Sequence, residues 1–447
     1  MGLISKSAFA TWLSCMLSLS ASAIASESSV PVLPDPLTLD YALSLADEPH
    51  PDLLLKDAGI LEAEAKRKSI EGDIGYDIDI DISAYGTNEK ATHSIRRQDH
   101  VRAGFIVSKT FYDFGHTDAL LSGADELKYS RELAYSDARG QRRLDIMAAY
   151  FNVLLADLKF SLYNEAMSIG YVNYDKEKDR RELGQRTDLD VVKRDSEYQR
   201  LRYLRYQSEN QQRETRVALA EVLNRPGQLS STLAIPKLDV LTRKLPEFEP
   251  LQKQALEKNI HINALRHDVS AAEKDLSAAR DSDGPELKGR LEAYSFEGGA
   301  GSTSDYRAEL SLIYNLYDPE KNGNVAAELA HLYIARAQLQ KAESTLRQDL
   351  LKTWHKIEEL NVKRDEMAVL LELRELQLEK SRALYEMEVK ADLGFSMTEL
   401  TDIQLKSAQT DYQLVLAWYQ LDLLAAKIKL DFKQRIHQPA ETHQGEE

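Results

Sequence analysis

The sequence predicts a mainly α-helical chain with a small β part, in which a unit of one helix, two strands and two long helices occurs twice. Three observations lead to this fold class: motifs recur at a nearly constant separation, long stretches contain neither glycine nor proline, and short regions alternate apolar with polar residues. The 447 residues, 43% hydrophobic and 29% charged, can bury a core. Their charge content argues against an α-helical membrane protein.

An internal repeat organises the chain. Three pairs of segments match in order: Ala42-Leu43 with Ala255-Leu256, Phe111-Tyr112-Asp113 with Leu316-Tyr317-Asp318, and Leu183-Gly184 with Leu393-Gly394. The region between the two copies is rich in proline, which favours a linker over a helix or strand. We therefore predict a first repeat at 26–224, a linker at 225–250 and a second repeat at 251–432.

Two strands are expected in each repeat. In residues 73–84, isoleucines alternate with aspartates, so the two residue types lie on opposite faces of one strand. Three further segments alternate, the second of them less cleanly: residues 101–112, 287–296 and 306–316. Strands of about ten residues with one apolar and one charged face are typical of a transmembrane β-barrel. The commoner alternative is an amphipathic sheet packed on a core.

The long helices are predicted from the absence of breakers. Residues 324–393 and 395–438 contain no glycine or proline, and only Gly140 and Gly170 interrupt residues 124–183. A helix of 70 residues would be roughly 100 Å long, far beyond the average globular helix of about 11–12 residues. Apolar residues at near-heptad spacing predict coiled-coil packing against neighbouring helices.

Four strands are too few to close a barrel, and an open sheet edge in lipid would leave backbone groups without hydrogen bonds. The chain therefore needs further copies of itself, and a homotrimer would supply twelve strands and twelve long helices. The expected assembly is a 12-stranded β-barrel on a long, hollow α-helical barrel.

The N-terminus has the pattern of a secretory signal peptide, predicted at 1–25. Lys6 supplies the positive charge, residues 8–19 the apolar segment, and Ala23-Ile24-Ala25 the cleavage site. A buried N-terminal helix is the alternative. The single cysteine, Cys15, lies in this segment in a poor lipidation motif, so the mature chain would have neither a disulfide nor a thiolate metal site. Residues 433–447 are predicted to be a disordered tail.

The duplicated unit, the export signal and the segments around Asp113 and Asp318 resemble the TolC family of outer-membrane efflux proteins, over nearly all of the mature chain. The resemblance implies a barrel in the lipid of the outer membrane and a helical barrel that crosses the periplasm. It also implies two partners, an inner-membrane pump and a membrane-fusion adaptor. The chain would serve efflux or type I secretion, and the sequence does not separate these two roles or identify a substrate.

The resemblance also assigns candidate site residues. Glu399 and Asp402 match the two acids that narrow the periplasmic tip in the family, and Asp190 matches an aspartate that helps to latch neighbouring helices. Gly184 and Gly394 match the helix reversals, where we expect the adaptor to dock. The spacing from Gly394 to the acids is one residue shorter than in the family pattern, and the latch partners have no clear counterpart. The alternative is that these acids are ordinary solvated residues.

Other functions lack support in the sequence. The net charge of −16 would repel the phosphates of nucleic acid. The histidines show no metal-binding spacing, and no nucleophile, cofactor loop or acid–base pair stands out. We expect neither an enzyme nor a cofactor. The main alternative to a channel is a periplasmic coiled-coil scaffold or adaptor that never enters the membrane.

Overall fold

A computed structural model describes residues 32–91, 94–297, 306–387 and 392–427. The predicted signal peptide at 1–25 and the predicted tail at 433–447 lie outside these described residues. The boundaries proposed for the two repeats and the linker remain predictions.

The predicted order of a helical part, two strands and two long helices occurs twice along the described chain, and each time the first helical part is divided into two helices. The first set is α1 (Leu39–Ser44), α2 (Pro51–Asp73), β1 (Tyr76–Ala91), β2 (Ser94–Tyr112), α3 (His116–Glu182) and α4 (Asp188–Val222). The second set is α5 (Phe248–Lys258), α6 (Ile260–Asp281), β3 (Glu286–Glu297), β4 (Tyr306–Ile313), α7 (Lys321–Glu386) and α8 (Leu393–Leu424). The protein is therefore mainly helical with a small sheet, as the sequence predicts.

The first long helix runs without a break through both glycines that the sequence analysis treated as interruptions. α3 has 67 residues and α7 has 66, which corresponds to about 100 Å each. A Cβ atom at Gly170 would lie 2.8 Å from Leu201 Cδ1. This glycine therefore allows α4 to pack closely against α3 and does not break the helix.

The last helix is shorter than the stretch without glycine or proline, so the prediction of a helix over 395–438 was wrong at its end. α8 ends at Leu424, and Ala426 adopts a positive φ of 52°. The Lys427 N–H donates to the Asp422 carbonyl at 2.9 Å, and the Ala426 N–H donates to the Leu423 carbonyl at 3.2 Å. These bonds form a left-handed C-terminal cap. The absence of breakers permits a helix but does not require one.

The four strands form one antiparallel sheet in the order β1-β2-β3-β4. The hairpins β1–β2 and β3–β4 belong to separate repeats, and the pairing of β2 with β3 joins them. One row of the register illustrates the faces: Ile78, Val107, Leu291 and Ala308 lie side by side across the sheet. β1 and β4 are the edge strands.

The two larger apolar cores hold the helices together between the sheet and the far ends of α3 and α7. The first joins α1, α3, α4 and α8, and the second joins α5, α6, α7 and α8. In the first core, the rings of Phe151 and Tyr412 stack with centroids 4.5 Å apart. The buried Tyr150 hydroxyl lies 2.8 Å from the Leu37 carbonyl and 2.6 Å from the Ala234 carbonyl. Burial raises the pKa of Tyr150 to about 12.

Among the described residues, α3 is the one helix with a stretch long and apolar enough, by length and composition, to cross a membrane. Core helices of water-soluble proteins pass the same test. In α3, Ile146, Tyr150 and Phe151 are buried in the first core, so packing within the protein accounts for these apolar residues.

Candidate functional site

One face of the sheet is apolar and uncovered by any described part of the chain. Its large side chains are mostly exposed; Ile78 and Ile80, for example, are each 65% exposed and Ile82 is 73% exposed. β4 adds Leu310 and Leu312, at 68% and 65% exposure. A sheet packed on a core would bury these side chains, so this alternative does not describe the protomer. A continuous apolar surface of this kind marks contact with lipid or another apolar partner.

The opposite face of the sheet carries charges of both signs. The β1 aspartates that the sequence singled out, Asp77, Asp79 and Asp81, share this face with basic side chains from the other strands: Arg102, Lys288, Arg290 and Arg307. Arg102 forms an ion pair with Asp81, and its guanidinium carbon lies 4.5 Å from the centre of the Tyr294 ring. The charged face is therefore mixed and not purely acidic.

Gly104 allows the Tyr294 ring to lie against the strand. A Cβ atom at this position would be 2.2 Å from Tyr294 Cδ1, so any other residue would displace the ring. Arg102 would then lose its aromatic contact. The glycine thus helps to position the Arg102 guanidinium on the charged face. The sequence patterns did not predict this role.

Asp113, Phe114 and Gly115 form the turn between β2 and α3. Asp113 accepts hydrogen bonds from the backbone N–H of Thr117 at 2.7 Å and of Gly115 at 3.3 Å. Phe114 and Gly115 both have positive φ, 55° and 100°. In the second repeat, Asp318 accepts a bond from the Glu320 N–H at 2.8 Å. Both aspartates therefore bind free N–H groups at the start of a long helix.

At the first tip, Gly184 lies in the helix reversal that the sequence predicts. Its φ is +71°, a conformation that favours glycine. The Gln185 N–H donates to the Arg180 carbonyl at 2.8 Å, and the Gly184 N–H donates to the Arg181 carbonyl at 2.9 Å. These two bonds form a Schellman motif, which ends α3.

Asp190 lies in the first turn of α4 and takes part in a capping box with Thr187. The Thr187 hydroxyl and backbone N–H both donate to the Asp190 carboxylate, at 2.8 and 3.1 Å. The Asp190 N–H donates to the Thr187 hydroxyl oxygen at 3.3 Å. The bonds from Thr187 lower the pKa of Asp190. Within one protomer this aspartate caps a helix, and its role as a gating contact stays a prediction.

Gly394 lies in the first turn of α8 and not in the reversal itself. α7 ends at Glu386, and Asp392 caps α8 by accepting a bond from the Phe395 N–H at 3.0 Å. Residues 388–391, in the reversal, lie outside the described part of the chain. A Cβ atom at Gly394 would be 2.7 Å from Ile169 Cγ2. The glycine therefore allows α8 to approach α3, where Thr401 also donates to Glu165 at 2.8 Å.

The two expected constriction acids both have basic partners within the chain. Glu399 Oε2 lies 2.7 Å from Arg374 Nη2 on α7, and Asp402 Oδ2 lies 2.5 Å from Lys406 Nζ one turn further along α8. The acids are 31% and 36% exposed. The sequence spacing of Asp402 and Lys406 could have revealed the second pair. No local signal reveals Arg374, because it belongs to another helix.

Histidines in the described residues make structural contacts. His267 Nδ1 lies 2.5 Å from Glu126 Oε2, and His116 Nδ1 lies 2.9 Å from the Ala278 carbonyl oxygen. In the ranges that the structure describes, no group of three His, Cys, Asp or Glu residues could hold a metal ion.

The sequence matches no protein-family model and no curated protein. Solved structures, however, are similar over most of the chain. A membrane protein from Pseudomonas aeruginosa has 17% identity and a TM-score of 0.72, with 88% of this chain and 91% of that chain covered. The Campylobacter jejuni CmeC outer membrane channel has 12% identity and a TM-score of 0.73, with 87% and 85% covered.

A third similar structure is the outer membrane protein VceC of Vibrio cholerae, with 14% identity, a TM-score of 0.67, and 85% of this chain and 95% of that chain covered. These similarities show that the chain has a TolC-like fold, the fold of outer-membrane channels.

Proposed function

We propose that this chain is the outer-membrane exit duct of a tripartite efflux or type I secretion system, and that it works as a homotrimer. The observation that carries the proposal is the sheet, which has one exposed apolar face, one charged face and two long helical pairs below it. An apolar exterior and a polar interior are what a barrel needs in lipid. The TolC-like fold supports the same reading, because it is a fold of conduits rather than of enzymes.

The internal repeat supports closure of the sheet by further copies. Arg102 and Arg307 occupy equivalent places, opposite Ser83 and Glu292 in their hairpins. β2 pairs with β3 between repeats through Ile106 and Glu292. If β4 pairs with β1 of the next copy in the same way, Ser311 lies opposite Ser83 of that copy. Three copies joined at these edges would form a 12-stranded barrel.

Disulfide trapping tests this register directly. We expect the Ser311→Cys/Ser83→Cys variant to form a covalent trimer on oxidation in the outer membrane, because both residues lie on the same face at opposing edges. The matched control is Ser311→Cys/Asp79→Cys, which keeps the face but displaces the thiol by four residues, about 13 Å along the strand. A protein that stays monomeric and is released with the soluble periplasmic fraction would refute the channel and favour a scaffold.

Conductance tests the function itself. The purified trimer should insert into a planar lipid bilayer and form small, cation-selective channels. The barrel would stay open, and the tips of the helical pairs would close around Glu399 and Asp402. We further propose that Asp190 contacts a neighbouring chain in the closed state, and that a membrane-fusion adaptor docks near Gly184 and Gly394 to open the duct for an inner-membrane pump. Replacement of both acids by alanine should reduce cation preference, and unchanged selectivity would refute the acidic ring.

A further inference from the structure

A cavity of about 490 Å³ lies between α3, α6, α7 and α8, at the N-terminus of α6 and the C-terminal end of α8. Its volume falls in the range of about 300–1,000 Å³ that is usual for small-molecule sites. The apolar part of its wall comes from three of the four helices: Ile262, Leu265, Ala342, Leu346, Leu423 and Leu424. All four helices belong to one chain, so the cavity does not need a second copy to exist.

Asp137 contributes a partly buried carboxylate to this wall. It projects from α3 and makes no hydrogen bond or ion pair with any residue that the structure describes. Loss of hydration raises the pKa of Asp137, and the nearby His261 and Lys56 only partly oppose this effect. Partial loss of hydration disfavours the charged carboxylate, and a cation placed next to it would stabilise the charge.

Two other charged side chains line the cavity, and they are of opposite sign. Asp349 on α7 adds a second carboxylate, whereas Lys341 on α7 is exposed and its long side chain can extend into solvent. A bare metal ion is a poor fit, because the part of the chain that the structure describes has no group of three His, Cys, Asp or Glu side chains that could hold one. The apolar wall instead matches the hydrocarbon part of an organic ligand.

We propose that this cavity binds a hydrophobic organic cation, with Asp137 as its counter-charge. The apolar wall removes the hydrocarbon part from water, and the aspartate fixes the position of the positive group. The proposal does not depend on the exit-duct function, because binding can be measured on the purified protein whether or not it conducts.

Two probes of equal shape and opposite charge test whether the cavity prefers a cation to an anion. Isothermal titration of the full-length protein in detergent should show saturable binding of tetraphenylphosphonium, and weaker binding of tetraphenylborate. The Asp137→Asn variant, which keeps the side-chain shape, should lose about tenfold in phosphonium affinity, as expected for removal of one charge contact in a partly buried site.

The matched control is Asp175→Asn, the same substitution on the same helix at an exposed residue that does not line this cavity. It should leave phosphonium affinity unchanged. Ala342→Trp should abolish binding by filling the cavity, and a thermal unfolding curve would show whether this variant is folded. Equal affinity for both probes, or equal affinity in wild type and Asp137→Asn, would overturn the proposal and identify the signal as partition into detergent.

The pH dependence gives a second readout. The groups that face Asp137 from the packed helices are Lys56, His261, Lys341 and Asp349. Because the pKa of Asp137 is raised, acidification should weaken phosphonium binding at a higher pH than an exposed aspartate would. Asp137→Asn should flatten this profile, and an unchanged profile in the variant would contradict the role of Asp137.

Discussion

The two tips at the far ends of the long helices share a Leu-Gly sequence but use the glycine for different physical reasons. At the first tip, Gly184 adopts a positive φ and a Cβ atom there would meet nothing within 4 Å. At the second tip, Gly394 has no unusual φ, and a Cβ atom would strike Ile169 on α3. The first glycine serves the backbone of its own turn, and the second serves a contact between helices.

The polar contacts of the two tips differ in the same way: those of the first tip lie within one helical pair, and one at the second tip joins the two pairs. At the first tip, Arg186 binds Glu177 and Arg181 binds Asp188, all within the α3–α4 hairpin. At the second tip, Thr401 reaches Glu165 on α3, which belongs to the other helical pair. The first tip is thus self-contained, whereas the position of the second depends on α3. We infer that α8 is the part of the tip whose movement would open a duct.

The largest effect should come from forcing α8 away from α3. Gly394→Leu places a large side chain against Ile169 and should lower the free energy of unfolding by about 1–3 kcal/mol, the usual range for overpacking. Bilayer recordings should show a higher conductance than wild type, since the wedge separates the two helical pairs.

Gly184→Leu is the matched control for this wedge. It strains a left-handed turn, at a cost of about 1–2 kcal/mol, without pressing on another helix. Its conductance should stay near that of wild type. If both variants raise conductance equally, general loosening of the tips and not the α8–α3 contact controls opening.

The capping box should have the next largest effect, confined to the first tip. Thr187→Ala removes the hydroxyl that binds both the Asp190 N–H and its carboxylate, which should cost about 1 kcal/mol. Hydrogen exchange should speed up in the first turn of α4 and stay unchanged in α8. Thr398→Ala is a suitable control, because this hydroxyl donates to the Phe395 carbonyl and caps nothing. Faster exchange at both tips would contradict their independence.

A smaller change in stability is expected from the ion pair at the second tip. Arg374→Met leaves Glu399 without its partner at 2.7 Å and should cost about 0.2–1 kcal/mol, since the pair is partly exposed. Cation preference, measured as the reversal potential in a KCl gradient, should rise because each Glu399 then carries an uncompensated charge. Arg374→Lys should preserve the wild-type value, and equal shifts in both variants would exclude charge as the cause.

These differences explain what the sequence could and could not predict. Local patterns were sufficient for the order of elements, for the two faces of β1 and for the turn at Gly184, since each depends on neighbouring residues. They did not reveal the Arg374–Glu399 pair, because its members lie on separate helices and leave no periodic signal. Gly394 shows the same limit: the sequence identifies a glycine but not whether backbone geometry or a close contact requires it.

Local sequence patterns also could not predict the end of α8 or the cavity beside Asp137. The segment after Leu424 has no helix breaker, yet the chain turns at Ala426, since helix length depends on packing partners as well as on propensity. The cavity joins four helices from both repeats. No sequence motif predicts a cavity between helices that are far apart in the chain.

The smallest expected effect is the pH dependence of the first tip. Hydrogen bonds from Thr187 lower the pKa of Asp190 below the ordinary value of 3.8, so its carboxylate stabilises the folded state above that pH. This contribution is lost as the pH falls through the lowered pKa. Asp190→Asn should therefore unfold at a slightly lower temperature than wild type near neutral pH, and the gap should close progressively below about pH 3.8. A gap that persists or widens in acid would mean that Asp190 acts through a contact other than its cap, and the first tip would then no longer count as self-contained.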